Sequence, residues 1–196
     1  MRDSSGQLSA SQNDIFFEAL RGLHTEPHLA SDAKQTVDTL KKIIGDSDAK
    51  SVVAAGLPPP AKLLVEAALK GVRHSFAEDL KPAEALETIS KADLGITWVQ
   101  YAAAKNGALV EVAHDDAVKL SSCLPRVHVA LLSSKTLLPD LEGAIAKVGK
   151  ILATEGEKKP VISIISGPSK TADIELRLIY GVHGPHTLHV LLLDWI

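Results

Sequence analysis

The first part of the chain has the apolar spacing of amphipathic helices. Apolar residues fall on one helical stripe between Asn13 and Leu23, and the spacing recurs between Asp32 and Gly45, which suit a helix start and a helix end. Residues 1–10 contain almost nothing that could be buried. We therefore expect a disordered tail over residues 1–10, followed by two N-terminal helices within about residues 11–45.

From about residue 50 onward, short apolar runs alternate with stretches of helical spacing. The predicted strands are Ser51–Ala55, Val72–Phe76, Leu94–Thr97, Val127–Leu132, Val161–Ile165 and Leu188–Leu193. The predicted helices are Ala61–Lys70, Pro82–Ser90 and Leu137–Leu152. Such alternation is typical of a parallel sheet covered by helices. We predict one domain over residues 11–196, with an α/β fold in three layers: a mostly parallel sheet with helices on both faces.

An antiparallel hairpin is predicted in the middle of the chain. Two short apolar runs, Ala108–Val112 and Ala117–Leu120, flank the acidic pair Asp115–Asp116, which suits a turn. The hairpin would be the antiparallel element beside an otherwise parallel sheet.

Composition narrows the possible function classes. The 21 basic and 24 acidic side chains of the 196 residues give a formal net charge of −3, so no bulk attraction to nucleic acid is expected. No apolar run is long enough to cross a membrane and the N-terminus is polar, so we expect a cytoplasmic protein without membrane insertion. The single cysteine, Cys123, can neither close an internal disulfide nor hold an iron–sulfur cluster by itself.

Several motifs occur in one order along the chain. The segments are 92–97 (ADLGIT), 102–107 (AAAKNG), 124–129 (LPRVHV), 165–175 (ISGPSKTADIE), 180–185 (YGVHGP) and 188–193 (LHVLLL). In these segments the chain resembles the LUD-domain family, specifically its lactate-utilization protein C type. It departs from the family pattern at Lys105 and Asn106, where an acidic residue and threonine are usual, and at His186, where arginine is usual.

The resemblance implies a fold similar to the sugar-phosphate isomerase and coenzyme A transferase group. It also implies an accessory subunit of an iron–sulfur system that oxidises L-lactate or another 2-hydroxy acid. The clusters would then belong to partner subunits of lactate utilization, because this chain is expected to carry no cofactor of its own. The resemblance supplies no reaction for this subunit.

The segment Ser166–Thr171 is the main candidate for chemistry. It leaves a predicted strand and enters a predicted helix, so its backbone N–H groups could hold an anion beside the charge of Lys170. Its spacing is not that of a nucleotide-binding P-loop. The alternative is a tight turn with a capping hydroxyl, in which Asp173 complements the helix dipole. Both interpretations remain open at this point.

A second functional hypothesis follows from that segment: an enzyme or sensor for a small anionic metabolite. The candidate ligand-binding residues are Thr97, Gly107, Gly167, Ser169, Lys170, Thr171, Asp173, His183 and Gly184. Three histidines, His183, His186 and His189, lie close in sequence, but their spacing suits a metal poorly and we predict no metal site. His128, inside an apolar strand, is interpreted as a hydrogen-bonded core histidine, and Cys123 as unreactive.

Overall fold

The structure is a computed structural model that describes residues 11–156, 159–172, 178–180 and 184–196. Of residues 170–172 and 178–180 only the backbone is described. The tail expected over residues 1–10 lies outside the described residues. In the described part of the chain, no helix combines the length and the apolar character needed to span a lipid bilayer.

The elements alternate along the chain largely as the apolar pattern predicts. The helices are α1 (Gln12–Gly22), α2 (Ala33–Asp46), α3 (Pro59–Ala68), α4 (Pro82–Ser90), α5 (Asp116–Cys123) and α6 (Leu141–Thr154). The strands are β1 (Glu26–Ala30), β2 (Ser51–Ala55), β3 (Arg73–Phe76), β4 (Leu94–Trp98), β5 (Tyr101–Ala103), β6 (Ala108–Ala113), β7 (Val127–Ser133), β8 (Leu137–Leu138), β9 (Val161–Ile165), β10 (Lys170–Ala172), β11 (Leu178–Tyr180) and β12 (Thr187–Leu193).

A six-stranded parallel sheet forms the centre of the molecule, in the order β1-β12-β7-β4-β2-β3. Helices α2 and α3 cover one face, where their apolar residues share a core with alternate residues of the strands. Helices α1, α4 and α5 lie on the other face. The α/β class and the mostly parallel sheet between helices are thereby confirmed.

A second, four-stranded sheet in the order β8-β5-β6-β9 packs beside α1 on that other face. Helix α6 covers the outer side of this sheet through Ala144 and Val148. Strand β6 therefore has two buried sides: Val110 and Val112 face α6, whereas Leu109 packs toward the large sheet. Residues of opposite parity on this strand thus face different layers.

The antiparallel hairpin is present, but its predicted position was wrong. Strands β5 and β6 form it, with Tyr101 opposite Val110. The run Ala117–Leu120 is instead part of helix α5, because the Asp115 side chain accepts a hydrogen bond from the backbone N–H of Ala117 and caps the helix. The acidic pair marks a helix start rather than a turn.

Two further elements differ from the sequence prediction. Strand β1 lies in the region predicted as helical and pairs in parallel with β12 at the sheet edge; its sequence EPHLA contains a proline and only a weak apolar pattern. Residues 170–172, predicted to enter a helix, form strand β10, which pairs antiparallel with β11. The predicted helix start in this segment, with its capping hydroxyl, is therefore wrong.

Candidate functional site

A chain of buried polar side chains crosses the space between the two sheets. The carboxylate of Glu111, on β6, lies 2.7 Å from the hydroxyl of Thr97 on β4. The same hydroxyl lies 2.9 Å from Nε2 of His128 on β7. All three residues are buried, with Glu111 and Thr97 fully excluded from solvent. Three strands thus bring a carboxylate, a hydroxyl and an imidazole into one hydrogen-bonded row.

Helix α5 supplies the second hydrogen bond to the carboxylate. The hydroxyl of Ser122 lies 2.9 Å from the other oxygen of Glu111. The helix can approach this closely because β4 carries Gly95, where an added Cβ would lie 1.9 Å from the carbonyl oxygen of Ser121. Gly95 is thus a packing position that sets where Ser122 meets Glu111.

Burial changes the acid–base properties of Glu111 and of His128. Loss of solvation raises the pKa of Glu111, and the hydrogen bonds from Thr97 and Ser122 only partly oppose that effect. Burial, with a smaller contribution from His189, lowers the pKa of His128 to about 3. The imidazole therefore stays neutral at ordinary pH, whereas the carboxyl group holds a proton more readily than an exposed glutamate does.

His128, at one end of this row of hydrogen-bonded side chains, borders a cavity of about 380 Å³. Three segments supply most of its wall: residues 163–169, residues 184–185 and helix α5, which contributes Lys119, Ser122 and Cys123. His128 also lines it, and the ring nitrogen not used by Thr97, Nδ1, is buried without a hydrogen-bond partner among the described residues. Nδ1 is therefore the atom of the His128 ring for which the described residues supply no hydrogen-bond partner.

The structure brings some of the sequence candidates together at this cavity. Gly167, Ser169 and Gly184 line it, and the backbone N–H of Ser169 donates to the carbonyl oxygen of Pro185 at 2.9 Å, which joins the two loops. Thr97 belongs to the buried polar chain behind the wall. The segment Ser166–Ser169 is thus part of a cavity wall, as the ligand-binding hypothesis requires.

Other candidates lie elsewhere or outside the described residues. Gly107 is not part of the cavity wall; its φ of +63° forms the β5–β6 turn, and an added Cβ would lie 2.9 Å from the side chain of Leu23. Gly167, with φ +89°, also lies close to the end of α1, because an added Cβ there would lie 2.7 Å from the carbonyl oxygen of Leu23. Lys170 and Thr171 are placed only as backbone of β10, and Asp173 and His183 lie outside the described residues.

The residues that sequence reasoning missed are Glu111 and Ser122. Glu111 was included in the apolar run predicted as a strand. Its charge was a weak sign of a polar site, because an acidic residue inside a buried strand needs hydrogen-bond or ionic partners. Ser122 gave no such signal in the sequence, because it was assigned to no predicted helix or strand. His128 was recognised as a buried histidine, but its free nitrogen and its place on a cavity could be found only from the structure.

A second cleft, of about 650 Å³, lies at the other side of the large sheet. There His28 Nε2 and His189 Nδ1 are 3.1 Å apart, and burial lowers the pKa of both, that of His189 to about 4. His186 lines this cleft rather than the cavity. Among the described residues, no three histidine, cysteine or acidic side chains are grouped so that they could hold a metal ion.

Comparisons with known proteins agree on one family. The LUD-domain model matches residues 14–193. "Lactate utilization protein C" of Halalkalibacterium halodurans is 30% identical over 178 residues, which cover 88% of this chain and 74% of that protein. The "Uncharacterized protein YkgG" of Escherichia coli is 33% identical over 187 residues, covering 91% and 78%. A crystal structure of a DUF162 family protein from Deinococcus radiodurans has the same fold, with a TM-score of 0.68 at 19% identity, covering 94% and 99%.

Proposed function

This chain belongs to the LUD-domain family, and on that premise we propose that it is a lactate-utilization protein. The observation that carries the proposal is the similarity to a protein named for lactate utilization, at 30% identity over 88% of this chain. In the finer form of the proposal, the chain is an accessory subunit of a system that oxidises L-lactate or another 2-hydroxy acid.

The redox centres of such a system would belong to partner subunits. Iron–sulfur clusters are normally held by four cysteine thiolates, and this chain contains one cysteine, Cys123. Cys123 is partly buried, and burial raises the pKa of its thiol, which disfavours the thiolate that metal binding needs. We therefore propose that the chain docks cysteine-rich, cluster-bearing subunits and does not carry electrons itself.

Anaerobic co-purification tests this proposal. The chain would be tagged, purified from its source under anaerobic conditions, and assayed for reduction of an artificial dye by L-lactate. A complex with iron–sulfur absorbance, whose lactate-dependent dye reduction falls when this chain is removed and recovers when it is added back, is the expected result. Full activity of the cluster-bearing subunits without the chain would contradict the accessory role.

The cavity favours a second candidate function, the binding of a small anionic metabolite. Its wall contains the loop Ser166–Ser169 and the ammonium-bearing side chain of Lys119. In this hypothesis Lys170 contributes a further charge to the same ligand.

The substitution Lys170→Ala tests the second candidate with the isolated chain. It should weaken binding of an anionic probe such as L-lactate and change the melting temperature little. The matched control is Lys150→Ala on exposed α6, which should affect neither. Equal loss of binding and stability in Lys170→Ala would instead identify a structural turn.

A further inference from the structure

The Thr97 hydroxyl couples the state of Glu111 to the state of His128. A hydroxyl group has one hydrogen, so it can donate to Glu111 or to Nε2 of His128, but not fully to both. When Glu111 is ionised it can only accept, so Thr97 donates to it and must accept from an Nε2–H of His128. The neutral ring then carries a bare lone pair at Nδ1.

A proton on the Glu111 oxygen that faces Thr97 reverses the direction of these hydrogen bonds. The carboxyl O–H then donates to Thr97, Thr97 donates to Nε2 of His128, and the neutral ring carries its hydrogen at Nδ1. The second state holds one proton more than the first, and that proton can enter at Nδ1 and be passed through Thr97 to Glu111. The ring never needs to become an imidazolium, which matches its lowered pKa and the raised pKa of Glu111.

The size and charge of the cavity limit the ligand. A volume of about 380 Å³ suits a small molecule. Among the wall side chains that the structure describes, Lys119 alone carries a permanent charge, and no carboxylate is present. A wall with a cation and without a carboxylate among its described side chains favours an anionic ligand.

We propose that this cavity binds a small monocarboxylate bearing a hydroxyl or carbonyl group, and that the Glu111–Thr97–His128 chain selects between the two. Ionised Glu111 leaves Nδ1 as an acceptor, which suits the hydroxyl of a 2-hydroxy acid. Protonated Glu111 leaves Nδ1–H as a donor, which suits the carbonyl of a 2-keto acid. This inference deepens the second candidate function and rests on it, but it is independent of the proposed partner complex.

The hydrogen bonds between Glu111, Thr97 and His128 predict how ligand binding depends on pH. Keto acid binding should strengthen as pH falls, because a carbonyl can only accept from Nδ1–H, whereas hydroxy acid binding should change less, because a hydroxyl can both donate and accept. The ratio should change at the pKa of Glu111, which burial raises above its ordinary value. The other titratable groups facing the chain are Lys119 and Cys123 from α5, and His189 acting on His128 from β12.

The experiment is a calorimetric titration of the isolated protein with L-lactate and with pyruvate at a series of pH values from the ordinary glutamate range upward, because the pKa of Glu111 is raised. Lactamide, which lacks the carboxylate, is the uncharged control ligand and should bind much more weakly. We expect the ratio of the two dissociation constants to change about tenfold or more, since one hydrogen bond changes from matched to mismatched.

Two variants test the mechanism of this change. Glu111→Gln removes the titrating group, and Thr97→Val cuts the chain without changing charge, so the ratio should become independent of pH in both. Glu87→Gln, an exposed site on α4, is the matched control and should behave as the unmodified protein. Binding with a constant ratio in the unmodified protein would overturn the selection mechanism and leave the second candidate intact. Failure of both acids to bind would overturn both.

Discussion

Glu111 is placed at an energetic cost. It is fully buried, and its oxygens receive hydrogen bonds from two neutral hydroxyls rather than from a cation. A buried carboxylate without an opposite charge is unfavourable compared with its solvated state, and that cost favours the protonated form. A buried, strongly perturbed acid next to a cavity is more typical of a binding or catalytic site than of a residue selected for stability.

The first prediction concerns the stability of Glu111→Gln. Because the folded-state pKa of Glu111 is raised, the contribution of this residue to stability is fully present below the unfolded pKa and is lost as pH rises through the folded pKa. The difference in unfolding free energy between Glu111→Gln and the unmodified protein should therefore shift in favour of the variant across that window, by about 1.4 kcal/mol per pKa unit of the shift. Denaturant titrations at several pH values measure it, and a difference that does not change with pH would contradict the burial of a titrating carboxyl group.

The second prediction concerns Thr97→Val. The substitution keeps the shape but removes the hydroxyl, which leaves one oxygen of Glu111 and Nε2 of His128 without a partner. The unfolding free energy should fall by about 2–4 kcal/mol, because both unsatisfied groups stay buried. Thr154→Val at the exposed end of α6 should change it by less than about 0.5 kcal/mol. Equal effects at the two sites would show that the buried hydroxyl has no bridging role.

For single residues, the sequence predicted some members of the site but not which side chains contact each other. Thr97 was a candidate because it ends a strand, and that position proved to be part of the polar chain. The contacts of Glu111 could not be predicted, because Thr97 and His128 lie 14 and 17 positions away and on different strands. Gly107 and Gly167 were singled out for ligand contact, and the structure gives both a close approach to α1.

Among the elements, helix α5 decides whether the site is assembled. It packs on β4 at Gly95, where its backbone occupies the space that any other residue would need for Cβ. The third prediction is that Gly95→Ala moves α5 away, lowers the unfolding free energy by about 1–3 kcal/mol through overpacking, and breaks the hydrogen bond from Ser122 to Glu111. Denaturant unfolding and loss of lactate binding are the measurements.

The control for this prediction is another glycine in a helix. Gly149→Ala in α6 has nothing within 4 Å of the added Cβ, so it should stabilise the protein by about 0.5–1 kcal/mol through helix propensity. If Gly95→Ala were equally harmless, the close approach of α5 to β4 would not be present in solution.

Elements with strong apolar periodicity could be predicted, and those set by tertiary contacts could not. Strand β2 was predicted with its actual bounds, because Val52–Ala55 form a continuous apolar run and all five residues of the strand are buried. Helix α5 was mistaken for a strand because its short sequence has little apolar periodicity, and its cap at Asp115 imitates a turn. Strand β1 was missed because its extended form depends on pairing with β12.

For the whole molecule, the central fact is that two sheets face each other across α1 and the buried polar chain. A parallel sheet between helices followed from the alternation of elements, but the partition of strands between two sheets did not. Strand β9 shows why: its apolar run resembles those of the large sheet, yet it pairs with β6, with Val110 opposite Ile164. Strand partners more than 50 positions apart are set by packing rather than by local pattern.

The fourth prediction, on acid stability, also belongs to the whole molecule. His128 is buried and His189 is half-buried, and loss of solvation lowers their pKa values to about 3 and about 4, so both are neutral when folded. Their contribution to stability is fully present above the unfolded histidine pKa of about 6.5 and is lost as pH falls toward those values, at up to about 1.4 kcal/mol per pH unit for each group. Denaturant unfolding from neutral to acidic pH measures this loss, and His189→Gln should reduce its slope. An unchanged slope would mean that His189 is accessible to protons in the folded state.

The most direct test of the central claim, that Glu111 acts through Thr97 to set the hydrogen-bonding role of His128, is ¹⁵N NMR of the histidine ring nitrogens as a function of pH. The His128 signals should be those of a neutral ring throughout, with the hydrogen at Nε2 when Glu111 is ionised and at Nδ1 when it is protonated. In Glu111→Gln the tautomer should no longer change with pH. Formation of an imidazolium at His128 near neutral pH, or the same tautomer in the unmodified protein at every pH, would contradict the account.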